Sequence, residues 1–162
     1  MAEPCCLKHD ALEPQCIWRR RVRIGLTAPC VAYAEVLADA IAGAPRSAVL
    51  RSRTAPYAGA IAPTMAGAWR GQHRDAIRSS GYVAHSLEAA LWCTGRTGTF
   101  RDAVLLAANL GEDADTTAAI TGQLAGALYG AAGIPKAWKD QLVWGERISA
   151  AAQQLFAAGA AV

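Results

Sequence analysis

The segment over residues 109–117 carries an unusual density of side chains that could bind a cation. It reads Asn-Leu-Gly-Glu-Asp-Ala-Asp-Thr-Thr, so three carboxylates fall within four residues, at Glu112, Asp113 and Asp115. Like charges this close repel one another, and a bound cation would relieve the repulsion. Carboxylates and the hydroxyl of Thr116 are hard oxygen ligands of the kind that Mg²⁺, Mn²⁺ and Ca²⁺ prefer. The segment therefore indicates a candidate cation site.

Helix capping is the alternative explanation of the same segment. Asp and Thr are preferred N-cap residues, and acidic side chains in a first turn interact favourably with the positive end of the helix dipole. Asp115 or Thr116 could cap a helix that runs to about residue 132. Capping needs one such residue rather than four, so these residues by themselves leave both explanations open. An EF-hand is excluded, because no glutamate stands at the twelfth position of the corresponding loop.

The acidic segment is followed by spaced glycines and preceded by a second motif. Residues 111–120 read Gly-Glu-Asp-Ala-Asp-Thr-Thr-Ala-Ala-Ile, and residues 80–92 read Ser-Gly-Tyr-Val-Ala-His-Ser-Leu-Glu-Ala-Ala-Leu-Trp. Between and after them stand Phe100, Asn109, Gly122, Gly126, Gly130, Ile134-Pro135 and Trp138. In this order the residues resemble the C-terminal signature of the ADP-ribosylglycohydrolase family, which includes the dinitrogenase reductase-activating glycohydrolases. The resemblance covers about residues 79–145 and extends more weakly to residue 28.

The resemblance implies a metal-dependent hydrolase with an all-α fold. In such a two-metal site, Mg²⁺ or Mn²⁺ ions hold the ribose hydroxyls of an ADP-ribosyl group and position water for attack at the anomeric carbon. The implied substrates are ADP-ribosylated proteins or small ADP-ribosyl compounds. The match assigns no catalytic residue. It implies Asp113, Asp115 and Thr116 as metal ligands, and Gly81, Tyr82, Gly111 and Glu112 as substrate-binding residues.

The resemblance covers only the C-terminal part of the family's domain. The family is normally longer, and its N-terminal half supplies a Thr-Asp-Asp type cluster that completes both metal shells. Before residue 79 this sequence has six scattered acidic residues and no two that are adjacent. We therefore expect a bundle truncated at its N-terminal side, in which three protein ligands hold at most one ion weakly.

Two consequences of the missing ligands remain open at this point. The first is whether the isolated chain is active as a hydrolase. The alternative to an active hydrolase is a non-catalytic helical binding or interaction module derived from the same fold. The other concerns association: apolar faces that a complete domain would bury predict self-association or pairing with a missing N-terminal half.

Composition predicts that helices position these residues. Alanine accounts for 38 of the 162 residues, against two phenylalanines and four tyrosines. Alanine is the best helix former, whereas aromatic and β-branched residues suit strands. We expect an all-α, compact multi-helix bundle that is at least two-thirds helical and has no sheet of three or more strands.

Apolar residues at helical spacing locate the individual helices. Thr99, with Asp102 three residues later, is predicted to cap one of them. Gly122, Gly126 and Gly130 share one face of another, where a neighbouring helix is expected to come close. The spacing predicts helices over about 30–42, 82–95, 100–109, 116–132 and 146–158, a short turn at 46–50, broken helices within 51–80, and a further helix that begins at Pro135.

The first 27 residues differ in composition from the remainder. They contain two of the alanines, and four of the five cysteines lie before residue 31. We interpret residues 1–27 as a poorly ordered extension, open to proteolysis near Arg19–Arg23, and residues 28–162 as the family domain. The basic run from Arg19 to Arg23 has no interleaved aromatic residues, so we interpret it as a solvated turn rather than a nucleic-acid site.

Membrane insertion and secretion are both disfavoured by the sequence. Residues 116–135 lack a formal charge over the length of a bilayer span, but their threonines and glycines make them too polar to insert. An odd number of cysteines and the lack of a long apolar run in the first twenty residues favour a reduced, cytoplasmic protein.

Several residues outside the acidic segment admit a purely structural explanation. We favour a core position for Tyr82 over a substrate contact on burial habit alone. His85 has no paired carboxylate in the sequence and so gives no argument for a general base. Helix packing is the simplest interpretation of Trp92, Trp138 and Trp144, and inert thiols are the simplest interpretation of Cys30 and Cys93.

Overall fold

Helices joined by short loops make up the described chain. The computed structural model describes residues 27–54 and 57–160. About 68% of these residues are helical and none of them lies in a strand, which confirms the predicted all-α class. The α-helices of this part are α1 (Thr27–Ile41), α2 (Arg46–Val49), α3 (Ile61–Ala66), α4 (Val83–Arg96), α5 (Phe100–Ala108), α6 (Ala114–Tyr129), α7 (Lys136–Asp140) and α8 (Gly145–Ala160), with short 3₁₀ helices at Arg74–Ala76 and Ala131–Gly133.

Apart from Thr27, the extension predicted over residues 1–27 lies outside the described residues. Its order, its basic run and its sensitivity to proteolysis therefore stay predictions. Within the described ranges no helix combines the length and the hydropathy needed to span a bilayer, α6 included.

Helix α6 lies at the centre of the bundle and contacts α1, α4 and α5. Leu124 and Ala125 on its inner face are fully buried. A Cβ atom added at Gly122 would lie 3.7 Å from Val104 Cγ2, and one at Gly126 would lie 3.8 Å from Phe100 Cε2. The nearest neighbours of these two glycines are therefore side-chain atoms of α5 at ordinary van der Waals distance, rather than the backbone of a second helix that the glycine spacing predicted.

Gly130 was predicted on that same face, and there the prediction is wrong. The residue follows α6 as its C-cap, with φ +69°, and no atom lies within 4 Å of a Cβ added to it. Glycine at this position allows the left-handed backbone that ends the helix. Its role is conformational, whereas that of Gly122 and Gly126 is packing.

The tryptophans differ in burial between the packed part of the chain and its exposed end. Trp92 is 2% exposed and donates its indole N–H to the Gln72 carbonyl at 3.0 Å. Trp138 packs edge-on against Phe100, with 6.1 Å between ring centroids. Trp144 is 71% exposed, so its predicted packing role is wrong. It precedes α8, which has few contacts with the remainder of the bundle and which also exposes Phe156.

The start of α5 follows the sequence prediction closely. Thr99 is the N-cap residue, and its side-chain oxygen accepts a hydrogen bond from the Asp102 backbone N–H at 3.1 Å.

At the other side of the bundle, Asp39 of α1 accepts hydrogen bonds from Arg53 and Arg51, both at 2.7 Å. These bonds, that from Arg53 first, lower the pKa of the Asp39 carboxyl. The ion pairs fasten the segment after α2 to α1.

The two cysteines in the described ranges differ in their surroundings. Cys93 is fully buried in α4, and desolvation raises the pKa of its thiol to about 12, which confirms the interpretation of an inert thiol. Cys30 is exposed on α1, so burial does not protect it.

Candidate functional site

A tight turn connects α5 to α6 and presents the acidic residues. We call residues 111–116 the acidic loop. Gly111 has φ +81° and Glu112 has φ +52°, so two consecutive residues adopt left-handed backbone. This conformation is free for glycine but costs about 1–2 kcal/mol for a residue with a Cβ. The strained glutamate backbone therefore needs stabilising contacts from its neighbours.

Those contacts come from the segment that precedes α4. Ser79 is 1% exposed, and its hydroxyl donates to the Gly111 carbonyl at 2.6 Å. The Asp113 backbone N–H donates to the Ser79 carbonyl at 2.9 Å. Arg78 pairs with Glu112, with 3.1 Å between Nε and Oε1. Residues 78–82 are thereby held against the acidic loop, although the two lie about 30 residues apart in the sequence.

Asp113, Asp115 and Thr116 lie together at the N-terminus of α6, as predicted. Asp113 occupies the N-cap position, and Asp115 and Thr116 follow in the first turn. The helix begins at Ala114, so the prediction that Asp115 or Thr116 is the cap is wrong. Asp113 makes no side-chain capping hydrogen bond, which leaves its carboxylate available to a ligand.

The two aspartates interact through their side chains. The pKa of Asp115 lies below its ordinary value, first because the Thr116 backbone N–H donates a hydrogen bond to the carboxylate, and then through a contact with the Asp113 side chain. The helix N-terminus thus stabilises the negative charge of Asp115. The two carboxylates are therefore neighbours on this turn.

The oxygen donors of the acidic loop are fewer than a hard cation takes. Glu112 turns its carboxylate to Arg78, so it does not join the two aspartates. Across the described residues, no group of three or more His, Cys, Asp or Glu side chains could together hold an ion. Two carboxylates and the Thr116 hydroxyl give three oxygen donors, whereas Mg²⁺ takes six. One further oxygen, Thr117 Oγ1, is buried at the same helix start without a hydrogen-bond partner among the described residues.

Gly81 and Tyr82 border the acidic loop on its other side. A Cβ atom added at Gly81 would lie 3.5 Å from Asp113 Oδ2, so this glycine keeps one side of the carboxylate open. Tyr82 is 45% exposed, and the interpretation of its ring as a core residue is wrong. Its ring packs at 87° to His85, with 5.1 Å between centroids. Gly81 and Asp113 are thus brought together, and the exposed ring of Tyr82 follows Gly81 in the sequence.

Sequence reasoning missed the hydrogen bonds that Ser79 and Ser80 make around this site. Ser79 bonds the acidic loop, and the Ser80 hydroxyl lies 2.7 Å from His85 Nδ1. Ser80 also accepts a bond from the Tyr82 backbone N–H at 3.3 Å. The signal that could have found them is a pair of serines immediately before a Gly-Tyr helix start, because serine hydroxyls commonly satisfy free backbone groups at such places.

An all-α bundle with a Gly-Tyr helix start beside an acidic helix N-terminus defines the class of this protein. Residues 25–161 match the family model described as ADP-ribosylglycohydrolase. The chain therefore belongs to the ADP-ribosylglycohydrolase family, which confirms the resemblance seen in the sequence.

The chain is similar in sequence to three relatives with established names. The chain is 49% identical over 129 residues to the ADP-ribosylarginine hydrolase Tri1 of Serratia proteamaculans (strain 568), a match that covers 80% of this chain and 35% of that protein. It is 54% identical over 91 residues to the Tri1 of Pseudomonas putida (strain GB-1), covering 56% of this chain and 24% of that one. The ADP-ribosyl-[dinitrogen reductase] glycohydrolase of Rhodospirillum rubrum is 39% identical over 77 residues, covering 44% of this chain and 26% of that protein.

A solved structure shows the same fold. The ADP-ribosylglycohydrolase-related protein complex superimposes with a TM-score of 0.71 and 37% sequence identity, covering 77% of this chain and 44% of the other. The chain thus spans about a third or less of the length of the curated relatives that it matches, and under half of the solved chain.

Proposed function

We propose that this protein contributes the C-terminal part of a metal-dependent ADP-ribosyl hydrolase site, which removes ADP-ribosyl groups from modified arginine or from modified proteins. The observation that carries the proposal is the position of Gly81 beside Asp113 at the start of α6, with the exposed ring of Tyr82 on the next residue of the chain. The names of the Tri1 relatives support ADP-ribosylarginine as the substrate class.

Residues of the acidic loop would bind the metal ion together. Asp113 and Asp115 supply charge, and Thr116 supplies a third oxygen, to one Mg²⁺ or Mn²⁺ ion. A bound ion of this kind supplies Lewis acidity and a fixed attachment point for ribose hydroxyls. Arg78 neutralises Glu112 and holds it in the turn, so that the pair of aspartates remains the main source of charge.

Ligand access would depend on the segment before α4. Gly81 leaves the space beside Asp113 Oδ2 free, and a substrate group can approach that oxygen without displacing a side chain. The exposed ring of Tyr82 offers a face for stacking on a planar base. His85 holds that ring from its edge, and Ser80 holds His85. Gly111 and Glu112 form the turn that brings both segments together.

The test measures release of ADP-ribose from ADP-ribosylarginine by the full chain, with Mn²⁺ or Mg²⁺ present and with EDTA. We expect metal-dependent release that falls at least about tenfold in Asp113→Asn. Asp102→Asn is the matched control, because it removes an exposed carboxylate from the start of a different helix. Release that continues in EDTA would contradict metal dependence. A lack of release under every metal condition would contradict hydrolysis by this chain.

The second candidate is a non-catalytic helical interaction module, and exposed apolar residues near the C-terminus favour it. Leu142, Val143 and Phe156 are each more than half exposed. Leu155 and Phe156 of α8 face Ile41 of α1 across an apolar groove of about 820 Å³. If the chain releases no ADP-ribose, alone or mixed with the N-terminal part of a relative, but self-associates, this function replaces the first. Sedimentation of the wild type against Phe156→Ser measures the self-association.

A further inference from the structure

A second cavity lies at the opposite end of α4 from the acidic loop. It encloses about 400 Å³ between α2, the turn after α3 and the C-terminal end of α4. Its lining includes Arg46, Arg51, Arg70 and Arg96 and contains no Asp or Glu. Helix α4 has 14 residues, so at 1.5 Å per residue its two ends are about 20 Å apart. The cavity is therefore separate from the candidate metal site.

Most of the positive charge around this cavity is uncompensated. Arg51 is paired with Asp39 at 2.7 Å. In the part of the chain that the structure describes, no carboxylate lies within 4 Å of the guanidinium of Arg46, Arg70 or Arg96. Three like charges that line one cavity repel one another, and a bound anion would relieve that repulsion.

Two of these arginines stack on buried tryptophans. The guanidinium of Arg70 lies 4.6 Å from the Trp69 ring centroid, and that of Arg96 lies 5.0 Å from the Trp92 centroid. Trp69 and Trp92 are 6% and 2% exposed, so both platforms are rigid. A guanidinium stacked on a ring keeps its N–H groups at its edge, where they can donate to a second group.

Two glycines make room for this arrangement. A Cβ atom at Gly95 would lie 2.4 Å from Trp69 Cζ3, and one at Gly67 would lie 1.5 Å from Arg70 Nη1. Side chains at either position would displace the stacked pair. The backbone therefore supports the placement of Trp69 and Arg70 from both sides.

The arginines retain donors after their contacts within the protein are counted. Arg46 uses one terminal nitrogen for the carbonyls of Thr94, Gly95 and Thr97 at the end of α4. Arg70 donates from Nη1 to Ser52 Oγ at 2.8 Å and from Nη2 to the Leu50 carbonyl, whereas Arg96 makes one contact of 3.4 Å, to the Gln72 carbonyl. Each guanidinium carries five N–H donors, so several remain for a ligand. Capping of α4 accounts for Arg46, and bonding to Leu50 and Ser52 accounts for part of Arg70, so Arg96 keeps the most donors for a ligand.

We infer that this cavity binds a small phosphorylated ligand through two linked phosphate groups. Arginine forks match phosphate oxygens in bidentate pairs, and three guanidiniums suit a group with several negative charges. The volume lies within the range of small-molecule sites, about 300–1,000 Å³. The inference does not rest on the proposed hydrolase function, because no residue of the acidic loop lines this cavity.

Titration calorimetry with pyrophosphate, in EDTA to exclude metal bridging, tests the inference on the full chain. We expect saturable binding that weakens with salt and falls at least tenfold in Arg96→Gln. Arg101→Gln is the matched control, since this exposed arginine of α5 lies outside the cavity. Arg70→Gln is a second variant, and thermal unfolding of every variant shows whether the fold is kept.

The possible outcomes distinguish a site for two linked phosphate groups from general surface charge and from a site for an acidic protein segment. Pyrophosphate that binds at least tenfold more tightly than inorganic phosphate supports two linked phosphate groups. Equal loss of binding in Arg96→Gln and Arg101→Gln overturns the inference, since general surface charge then explains it. A lack of saturable binding also overturns it, as does binding of a polyglutamate peptide without binding of pyrophosphate, which would indicate an acidic protein segment instead.

Discussion

Gly95→Ala is expected to destabilise the protein although it places alanine in a helix. An added Cβ would lie 2.4 Å from Trp69 Cζ3 and 2.9 Å from Cη2, closer than packed atoms approach. The indole has little freedom to retreat, because Trp69 is 6% exposed and Arg70 lies 4.6 Å from its ring centroid. The substitution therefore overpacks a rigid contact between α4 and the segment after α3.

The magnitude follows from two opposing contributions. Replacing glycine with alanine in a helix stabilises it by at most about 1 kcal/mol. Overpacking a well-packed core costs about 1–3 kcal/mol. The rigid indole places the cost in the upper part of that range, so we expect a net loss of about 1–2 kcal/mol. For a chain of this size the loss corresponds to a fall in Tm of about 2–8 °C.

Thermal unfolding followed by circular dichroism at 222 nm measures the change. Gly98→Ala is the control, because no atom lies within 4 Å of a Cβ at Gly98 and its backbone does not adopt a positive φ. We expect this control to change stability by less than about 0.5 kcal/mol. In a Trp69→Phe background, Gly95→Ala should cost at least about 0.5 kcal/mol less. A Gly95→Ala variant as stable as the wild type would refute the reasoning.

Three further predictions concern the acidic loop, a helix cap and an ion pair. Asp115→Asn should weaken Mn²⁺ binding at least about tenfold in titration calorimetry, whereas Asp102→Asn should not, and equal uptake would show that the loop is only a capped helix start. Thr99→Ala should cost about 1 kcal/mol in urea unfolding while Thr99→Ser retains most of the stability, and an unchanged midpoint for the alanine variant would argue against the cap. The lowered pKa of Asp39 means that its stabilisation is complete above its ordinary pKa of 3.8 and is lost as the pH falls through the folded-state value. Asp39→Asn should therefore lower the urea midpoint at neutral pH, with a difference from wild type that shrinks on acidification; a difference that does not vary with pH would rule this out.

The position of the acidic residues at a helix start was predicted from the sequence, but their contacts with distant residues were not. The sequence placed Asp113, Asp115 and Thr116 at a helix N-terminus, because acidic and hydroxyl side chains there obey rules that span a few residues. The same local rules missed the start of α6 and the partner of Glu112. That partner, Arg78, lies 34 residues away, and the spacing of residues within one segment carries no information about it.

Exposure was the property least accessible from the sequence. Tyr82 and Trp144 were both assigned to packing by residue type, and they are 45% and 71% exposed. Trp92 was assigned in the same way, and it is 2% exposed. Whether an aromatic ring is covered depends on which other helices reach it, and residue type gives only an average over many proteins.

By itself the sequence determined the helical class, the cap at Thr99 and the presence of acidic residues in the first turn of a helix, because alanine content, apolar spacing and capping act between near neighbours along one chain segment. Tertiary structure decided which segments meet. The 2.6 Å bond from Ser79 to the Gly111 carbonyl brings Gly81 to Asp113, and packing at the far end of α4 gathers arginines from three segments around one cavity. Such contacts form between residues far apart in sequence, and the free energy that selects them comes from burying the surfaces of whole helices against one another.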